Sequence, residues 1–250
     1  MSLKISIITV TYNSAATLEQ TIQSVVNQTY SNIEYIVVDG LSTDFTLAIA
    51  EKYREKITKI VSEKDKGLYD AINKGIALAS GDVIGILHSD DFYTNESVIA
   101  AYVMEFEKGN YDGVYADLYY VDKDDTEKTV RTWKSGAYTH GDFLNGWMPP
   151  HPTFFVKRSC YQAYGNFSLE LKTAADYELM LRFIHKQKIK LGYLERFTVK
   201  MRTGGKSNVN VQSRLNANRE DRRAWEMNDL RPKFYTLYLK PFRKVFQFFR

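Results

Sequence analysis

Apolar residues follow two alternating patterns through the first half of the chain. Residues 5–11 form a continuous β-branched and apolar run, which is typical of a strand covered on both faces of a sheet. Similar runs occupy residues 33–38, 58–61 and 83–87. The segments between them space apolar residues as a helix does, and Ser14 is positioned to cap the first of these helices. The pattern predicts a β-α-β-α-β-α-β series and therefore an α/β fold with a mostly parallel, doubly wound sheet flanked by helices.

The second half of the chain has shorter elements. Strands are predicted at residues 113–121 and 153–156, and one strong helix runs from about Asp176 to Lys186. All five prolines lie at or beyond Pro149, and nothing before it has the composition of a linker. We therefore expect one compact unit.

Charge is distributed unevenly and marks off the C-terminal end. The net charge is +4 over 250 residues, but residues 231–250 contain six basic side chains and no acidic one, which leaves −2 for residues 1–230. A protein that binds nucleic acid normally spreads basic charge over a binding face, so nucleic acid is not an expected partner. We expect one domain over residues 1–229 and a separate tail over residues 230–250.

The tail interleaves cations with aromatic residues. On a helix starting near Lys240, with Pro241 in its first turn, apolar and basic residues fall on opposite faces. The apolar face contains Phe242, Val245, Phe246 and Phe249, and the other face contains Lys240, Arg243, Lys244 and Gln247. Such a helix can bind an anionic membrane surface, where each cation contributes about 1 kcal/mol. The alternative is a helix docked on the protein itself or on a dimer partner, so a homo-oligomer stays open.

Composition indicates a cytoplasmic protein. The chain is 44% hydrophobic and 26% charged, which excludes a disordered chain. No apolar run approaches the roughly 20 residues that span a bilayer, and the first residues lack the features of a secretory signal. The single Cys160 cannot form an internal disulfide, in agreement with a reducing compartment. With the tail included, we expect peripheral attachment to the inner face of the plasma membrane.

Polar residues follow each of the four predicted strands, at the edge where open α/β sheets bind ligands. These segments are residues 11–13, 39–40, 63–67 and 88–91, and three of the four contain carboxylates. The dinucleotide-binding Gly-x-Gly-x-x-Gly pattern and the phosphate-binding loop are absent, which argues against a dehydrogenase and an ordinary ATPase. The adjacent carboxylates at 90–91 suit Mg²⁺ or Mn²⁺ bound together with phosphate oxygens, although Asp-Asp pairs also occur in plain turns.

Five motifs occur in an order that resembles one enzyme family. They are Thr9-Val-Thr-Tyr-Asn13, Val37-Val-Asp-Gly-Leu-Ser-Thr-Asp44, Asp65-Lys-Gly-Leu-Tyr-Asp-Ala-Ile-Asn-Lys-Gly75, Gly81-Asp-Val-Ile-Gly-Ile-Leu-His-Ser-Asp-Asp91 and Ala175-Asp-Tyr-Glu-Leu179. In this order they resemble the family 2 glycosyltransferases, whose fold is the Rossmann-like GT-A type. Within that family, Pro150-His-Pro-Thr-Phe-Phe155 and Gly204-Gly-Lys-Ser207 are similar to bacterial colanic acid and exopolysaccharide enzymes.

The resemblance implies a role for each matching residue. The nucleotide-sugar donor would be bound by Thr11, Tyr12, Asn13, Asp39, Asp65, Lys66, Gly67, Asp70, Asn73, Asp90 and His151. Asp90 and Asp91 match the metal motif, for Mn²⁺ or Mg²⁺, and Asp91 is the safer ligand because Ser89 stands where many members have another aspartate. Asp176 matches the general base, with Ala175 in place of the frequent glutamate. Residues 1–110 would then form the donor half and residues 111–229 the half with the base and the acceptor site.

Some of these residues have simpler alternatives. Asp70 can cap the helix that begins near Leu68, and Asp176 can serve only as a carboxylate at a helix N-terminus. Displacement at an anomeric carbon nevertheless needs a base for the acceptor hydroxyl. His151 could contact the donor phosphates or the acceptor, or hold its loop in place. The four histidines lack the His-x-x-x-His spacing of a zinc hydrolase, and no Gly-x-Ser-x-Gly elbow exists.

The predicted function is an inverting, metal-dependent transfer of one hexosyl unit from a nucleotide-diphosphate sugar, UDP-sugar first, to a surface-polysaccharide or lipid-linked glycan. The Gln-x-x-Arg-Trp motif of processive synthases is missing, and Arg222-Arg-Ala-Trp225 matches it only in part, so single addition is favoured. Two alternatives stand beside this prediction. One is a non-catalytic nucleotide-sugar-binding module of the same fold, and the other is a nucleotidyltransferase, which would need a glycine- and lysine-rich N-terminal loop that the chain lacks.

Overall fold

A single mixed sheet organises the part of the chain that the computed structural model describes, residues 2–204 and 211–240. Its strands are β1 (Ile5–Thr11), β2 (Ile33–Asp39), β3 (Lys59–Ser62), β4 (Val83–Ile86), β5 (Asp91–Tyr93), β6 (Gly113–Val121), β7 (Thr129–Trp133), β8 (Phe155–Lys157) and β9 (Leu191–Arg202). Within those residues the strand order is β3-β2-β1-β4-β8-β6-β9-β5, with β7 paired to β6.

The first four strands form the parallel part of the sheet that the apolar runs predicted. β1 pairs in parallel with β2 and β4, and β2 pairs in parallel with β3. Beyond β4 the sheet is mixed, because β8 is antiparallel to both of its neighbours while β6 and β9 run parallel to each other. The strand predicted at 153–156 is shifted to β8 because Thr153 belongs to a 3-10 turn, His151–Thr153.

Helices cover both faces of this sheet. They are α1 (Leu18–Val26), α2 (Thr46–Glu51), α3 (Leu68–Leu78), α4 (Val98–Gly109), α5 (Arg158–Tyr164), α6 (Ala175–Met180) and α7 (Val211–Met227). The helix predicted from Asp176 to Lys186 is confirmed as α6 and a wider π-helical turn, Leu181–Lys186, that continues it. The prediction that the Ser14 side chain caps α1 is wrong. Its backbone carbonyl accepts the Thr17 and Leu18 amides, each at 3.0 Å, and α1 begins after Thr17 without a side-chain cap.

Alternation along the central strands separates two apolar cores. Ile36 and Val38 pack with α3 and α6 on one face, whereas Tyr35 and Val37 pack with α1, α2 and α4 on the other. Because successive side chains of a strand point to opposite faces, a nearly all-apolar strand needs helices on both sides. The continuous apolar runs in the sequence have this structural cause.

A buried carboxylate joins the amino-terminal ends of the strands, opposite the ligand-binding edge. Glu34, 3% exposed, accepts hydrogen bonds from the hydroxyl of Ser6 and from both the amide and the hydroxyl of Ser80, the last two at 2.7 Å. The Lys4 ammonium lies 3.4 Å from it. Burial opposes ionisation of Glu34, but the Ser6 and Ser80 hydrogen bonds and Lys4 outweigh it and lower its pKa to about 2.

The tail packs on the domain as far as residue 240. Residues 236–240 are helical, so the helix expected near Lys240 begins four residues earlier, and the Thr236 side chain is buried with its hydroxyl donating to the Leu144 carbonyl. The Lys240 ammonium contacts both Asp221 oxygens at 2.7 Å. The predicted amphipathic face beyond residue 240 and the 205–207 part of the Gly-Gly-Lys-Ser motif lie outside the described residues. No helix among the described residues has the length and apolar character needed to cross a bilayer.

Candidate active site

The carboxyl ends of β1 to β4 bring the four predicted polar segments to one edge of the sheet. The β1 and β2 register pairs Thr11 with Asp39, and the Gly40 amide donates to the Thr11 carbonyl at 2.9 Å. β4 ends two residues before His88 on the other side of β1. The segments 11–13, 39–40, 63–67 and 88–91 therefore follow adjacent parallel strands, as predicted.

Gly40, Asp65 and Tyr12 converge at the end of β2. A Cβ atom added to Gly40 would lie 2.3 Å from Asp65 Oδ2 and 3.5 Å from the Tyr12 ring. The absence of a side chain at position 40 thus allows this close approach. The Tyr12 ring is 54% exposed, so its face is open to a planar partner.

Asp39 is turned inward rather than towards a ligand. It is fully buried, and its carboxylate accepts hydrogen bonds from the amide and the hydroxyl of Ser42 and, at 2.6 Å, from the hydroxyl of Ser62. Asn13, in the left-handed region at φ 50°, accepts from the Thr43 amide at 2.8 Å. Both residues therefore organise the loop after β2. Burial closes the Asp39 carboxylate off from a nucleoside in this conformation.

The residues predicted around α3 mostly have local partners. Asp70 accepts from the Lys66 amide at 2.9 Å, and Asp65 accepts from the Gly67 amide at 2.8 Å, so both shape the start of the helix. Asn73 uses both ends of its amide on the backbone of Phe167, at 2.9 and 3.0 Å. Asn73 thereby ties α3 to the loop before α6. Asp70 bonds to the Lys66 amide ahead of the helix, and α3 has no side-chain cap hydrogen bond at its first residues.

The two adjacent carboxylates differ in exposure. Asp91 is 1% exposed, and neither of its carboxylate oxygens has a hydrogen-bond partner within residues 2–204 and 211–240. Burial and the neighbouring Asp90 charge therefore raise its pKa well above the usual range. Asp90 is half-buried, and no group in the described ranges donates to its carboxylate. The guanidinium of Arg202, 9% exposed, donates to the Asp90 backbone carbonyl and to Gln20.

These residues fit a divalent metal that is shared with a diphosphate. Mg²⁺ and Mn²⁺ are commonly bound through one or two carboxylates, with phosphate oxygens and waters completing the shell. The unpartnered Asp90 carboxylate can supply one such ligand, whereas the Asp91 oxygens are closed off from solvent. The described residues contain no cluster of three histidine, cysteine or acidic side chains that could hold a metal by themselves.

Asp176 lies near the start of α6, with two hydrogen-bond donors and the His151 imidazole around it. Its Oδ1 accepts from the Tyr177 amide at 2.8 Å and from the Tyr69 hydroxyl at 3.4 Å. Its Oδ2 lies 3.4 Å from His151 Nδ1. Since each carboxylate oxygen has two lone pairs, Oδ1 is filled and Oδ2 keeps one for a further partner. The side chain is 21% exposed, so this lone pair can be reached.

A pair of histidines connects Asp176 with the end of β4. His151 Nε2 lies 3.0 Å from His88 Nε2, and the two rings meet at an angle of 58°. Burial lowers the pKa of His151 to about 4, and burial together with His151 lowers the pKa of His88 to about 4 as well. Both imidazoles are therefore neutral at pH 7, so one nitrogen donates and the other accepts.

Glu220 of α7 holds the amino end of α6. Its carboxylate accepts the amides of Lys172, Thr173 and Ala174 at 3.2, 2.7 and 3.0 Å, together with the Thr173 hydroxyl. A carboxylate that accepts these amides also complements the positive end of the helix. Asp176 follows Ala174 by two positions. Its place therefore depends on α7, a helix about 40 residues further along the chain.

Four residues of the site were not identified from the sequence: Tyr69, His88, Arg202 and Glu220. Tyr69 lies inside the Asp65–Gly75 motif, so its position was a usable signal, although its ring is 8% exposed and reads as core. Arg202 and Glu220 carry no local pattern, because their partners are more than 45 residues away. Lys66, by contrast, is exposed, and its side chain has no partner among the described residues.

Comparisons with known proteins identify the family of the chain. Residues 6–165 match the family model described as glycosyl transferase family 2. An uncharacterized glycosyltransferase of Mycobacterium tuberculosis is 34% identical over 180 residues, which cover 71% of this chain and 68% of that protein. The Escherichia coli UDP-Glc:alpha-D-GlcNAc-diphosphoundecaprenol beta-1,3-glucosyltransferase WfaP is 36% identical over 122 residues, 48% of this chain and 47% of that protein.

The fold is also found among solved structures. The structure of S. aureus TarS residues 1–349 in complex with UDP-GlcNAc superposes with a TM-score of 0.70 at 18% identity. The match covers 90% of this chain and 65% of that one, just under two thirds of its length. At this identity the likeness concerns the fold, which is the GT-A type. With the family match over residues 6–165, the chain belongs to glycosyl transferase family 2.

Proposed function

We propose that this member of the family transfers one hexosyl unit, with inversion, from a UDP-sugar to a lipid-linked or surface-polysaccharide glycan, using Mn²⁺ or Mg²⁺. The observation that supports it best is the connection between two carboxylates of different character. The Asp90 carboxylate follows a strand end and has no hydrogen-bond partner among the described residues, whereas Asp176 lies in the first turn of a helix and keeps one accessible lone pair. His88 and His151 link the two regions through contacts of 3.0 and 3.4 Å.

Asp176 is the base in this proposal. The Oδ2 lone pair accepts the proton of the acceptor hydroxyl while that oxygen attacks the anomeric carbon from the face opposite the leaving nucleotide, which inverts the configuration. Tyr69 and the Tyr177 amide hold Oδ1, so the carboxylate cannot rotate freely. In this proposal, residues 1–110 bind the donor, and residues 111–229 contribute Asp176 and the acceptor site.

The nucleoside is proposed to lie over Tyr12, Gly40 and Asp65. The exposed Tyr12 ring offers a stacking surface for a base, and the absence of a side chain at Gly40 lets the Asp65 carboxylate lie close to the end of β2. The loop after β2 is supported by Thr11, Asn13 and Asp39 in this proposal. The sugar-diphosphate side is bordered by Lys66, Gly67, Asp70 and Asn73. The name of WfaP specifies UDP-Glc, which supports UDP as the first nucleotide to test.

The divalent metal is proposed to be bound at Asp90, with Asp91 as a buried neighbour. When bound, it would neutralise charge on the diphosphate leaving group. The exposures of the two carboxylates favour Asp90 over Asp91, the reverse of the order expected from the sequence. Arg202 holds the backbone of Asp90 and adds a positive charge beside both carboxylates.

A panel of UDP- and GDP-sugars, incubated with Mn²⁺ or Mg²⁺, tests the proposed activity through hydrolysis and through transfer to lipid-diphosphate-linked sugars. We expect Asp176→Asn to lower turnover roughly 10²–10⁴-fold while donor binding, measured by calorimetry, stays within about threefold. Leu169→Asn, on the exposed surface, is the matched control. Saturable donor binding without any turnover would instead favour the non-catalytic module, and full activity of Asp176→Asn would remove the base.

Single addition and the colanic acid-like acceptor class are tested in the same reaction. The absent Gln-x-x-Arg-Trp motif supports one added sugar per acceptor, so mass spectrometry should find acceptor plus one hexose at all donor concentrations. A ladder of longer products would contradict it. WfaP, by its name, acts on a diphosphoundecaprenol-linked sugar, which supports lipid-linked acceptors as the first class to examine.

Attachment to the inner face of the plasma membrane is proposed through residues 241–250. Four exposed or partly exposed residues, Arg231, Lys233, Phe234 and Tyr238, extend the basic and aromatic character into the described part of the tail, where Phe234 is 88% exposed. Because Thr236 and Leu237 are buried on the domain, the truncation should end at residue 240 rather than 230. We expect the full chain, and not residues 1–240, to co-sediment with anionic vesicles, and neither with phosphatidylcholine vesicles. Equal sedimentation of both proteins would end the proposal.

A further inference from the structure

His151 is held rigidly at the junction of the two halves. It opens the 3-10 turn before β8, between Pro150 and Pro152, whose rings fix the backbone on either side. Its carbonyl accepts the Phe154 amide at 3.1 Å, and the Thr153 hydroxyl donates to the Pro150 carbonyl at 2.9 Å. The imidazole therefore has a fixed origin from which one nitrogen points to Asp176 and the other to His88.

The proton positions in the Asp176–His151–His88 array follow from the negative charge on Asp176. An ionised carboxylate can only accept, so the Nδ1 atom that lies 3.4 Å from Asp176 Oδ2 carries a proton. A neutral imidazole then leaves the Nε2 atom of His151 as an acceptor. The contact of 3.0 Å to His88 therefore requires a proton on His88 Nε2. Neutral histidine in water prefers the Nε2–H form, and His151 would be in the other tautomer.

We infer that His88 and His151 are positioning residues for the base: His88 donates to His151 Nε2, which keeps the His151 proton on Nδ1, where it holds Asp176 Oδ2. This inference rests on the proposed function, because it names how the base of that reaction is oriented. With Tyr69 and the Tyr177 amide on Oδ1, the His151 contact leaves one lone pair of Oδ2 for the acceptor hydroxyl. A contact of 3.4 Å is long, as such contacts often are before substrate tightens them.

The inference assigns His151 to the base rather than to the donor phosphates. The two roles differ kinetically, because loss of a donor contact raises the donor KM or Kd, whereas a misoriented base lowers kcat with donor affinity kept. If the role were purely structural, every substitution would lower stability. A variant that keeps a hydrogen-bond donor would then have the same kcat as a variant that lacks one. His88 offers this comparison directly, since the amide nitrogen of glutamine lies near the position of Nε2.

Kinetics of three variants test the positioning role. We expect His88→Leu to lower kcat by about 10-fold to 100-fold with donor KM within about twofold, and His88→Gln to recover kcat to within about threefold of the wild type. His140→Leu, at an exposed position away from Asp176, is the control and should match the wild type. Equal losses in His88→Leu and His88→Gln, or a loss confined to donor KM, would overturn the inference.

A second measurement does not depend on turnover. Two-bond ¹⁵N–¹H spectra of the full chain distinguish Nδ1–H from Nε2–H histidines, and with four histidines each signal can be assigned by its own variant. We expect His151 as Nδ1–H and His88 as Nε2–H at pH 7, and loss of the His151 preference in His88→Leu. An Nε2–H form of His151 in the wild type would refute the array. If no sugar is transferred but the tautomers are as expected, the proposed function fails and the array stands.

Discussion

Replacement of Glu34 by glutamine should destabilise the protein in a pH-dependent way. Glu34 joins the amino ends of β1, β2 and β4, far from the strand ends that form the candidate site, so the perturbation concerns folding. The ionised carboxylate accepts three hydrogen bonds from Ser6 and Ser80 and lies beside Lys4. Glutamine keeps the shape and one acceptor oxygen but has no negative charge.

The magnitude follows from the difference between the folded and unfolded states. The pKa of Glu34 falls from 4.5 to about 2 on folding. Since one pKa unit corresponds to about 1.4 kcal/mol, ionised Glu34 contributes about 3 kcal/mol of stability at pH 7. Because the folded value is the lower one, this contribution is complete above pH 4.5 and is lost as the pH falls towards 2.

Urea unfolding followed by circular dichroism at several pH values measures the effect. The wild type should exceed Glu34→Gln by about 2–3 kcal/mol at pH 7, and the gap should narrow steadily below about pH 4.5. Glu51→Gln, an exposed glutamate in α2, should show no such gap. A gap that is the same at pH 7 and pH 3, or no gap at pH 7, would refute the argument from charge and hydrogen bonding.

Four further substitutions address the site. Gly40→Ala should raise the Kd for UDP by about tenfold in calorimetry, because its Cβ would lie 2.3 Å from Asp65 Oδ2 and must displace that carboxylate; unchanged affinity would contradict a nucleoside at this position. Asp90→Asn should raise the Mn²⁺ concentration for half-maximal activity at least about tenfold, whereas Asp91→Asn should raise it less, and the reverse ranking would make Asp91 the ligand. Glu220→Gln should lower the free energy of unfolding by about 1–2 kcal/mol in urea titrations, since it weakens the cap on α6, and an unchanged value would show that the cap is dispensable.

The parallel part of the sheet was predictable because each of its strands can be recognised from its own residues. A strand buried on both faces is apolar throughout, and the runs at 5–11, 33–38 and 83–87 show this without knowledge of any partner. The strand ends could be located for the same reason. In the mixed part, β8 and β5 are each only three residues long, so neither has a periodic pattern to detect.

Predictions of side-chain roles depended on distance along the chain. Asp70 bonds to the Lys66 amide, a partner only four residues away in the sequence. The sequence alone suggested that Asp39 and Asn73 face a ligand. In the structure Asp39 bonds to Ser62, 23 residues away, and Asn73 bonds to Phe167, 94 residues away. Asp176, His151 and His88 come together from α6, the turn before β8 and the segment after β4, an arrangement that no local spacing specifies.

The pairing of β5 bears on how this enzyme could be recombined with its relatives. β5 begins with Asp91 and pairs with β9, where Asp91 is opposite Met201. The carboxylate pair at 90–91 therefore lies in the proposed donor half, residues 1–110, but is anchored to a strand from residues 111–229, next to Arg202. A chimera that joins residues 1–110 to the second half of another family member would exchange that anchor. We therefore expect that the second half cannot be exchanged as an independent unit. Chimeras that keep β5 with its own β9 are the ones expected to preserve donor binding.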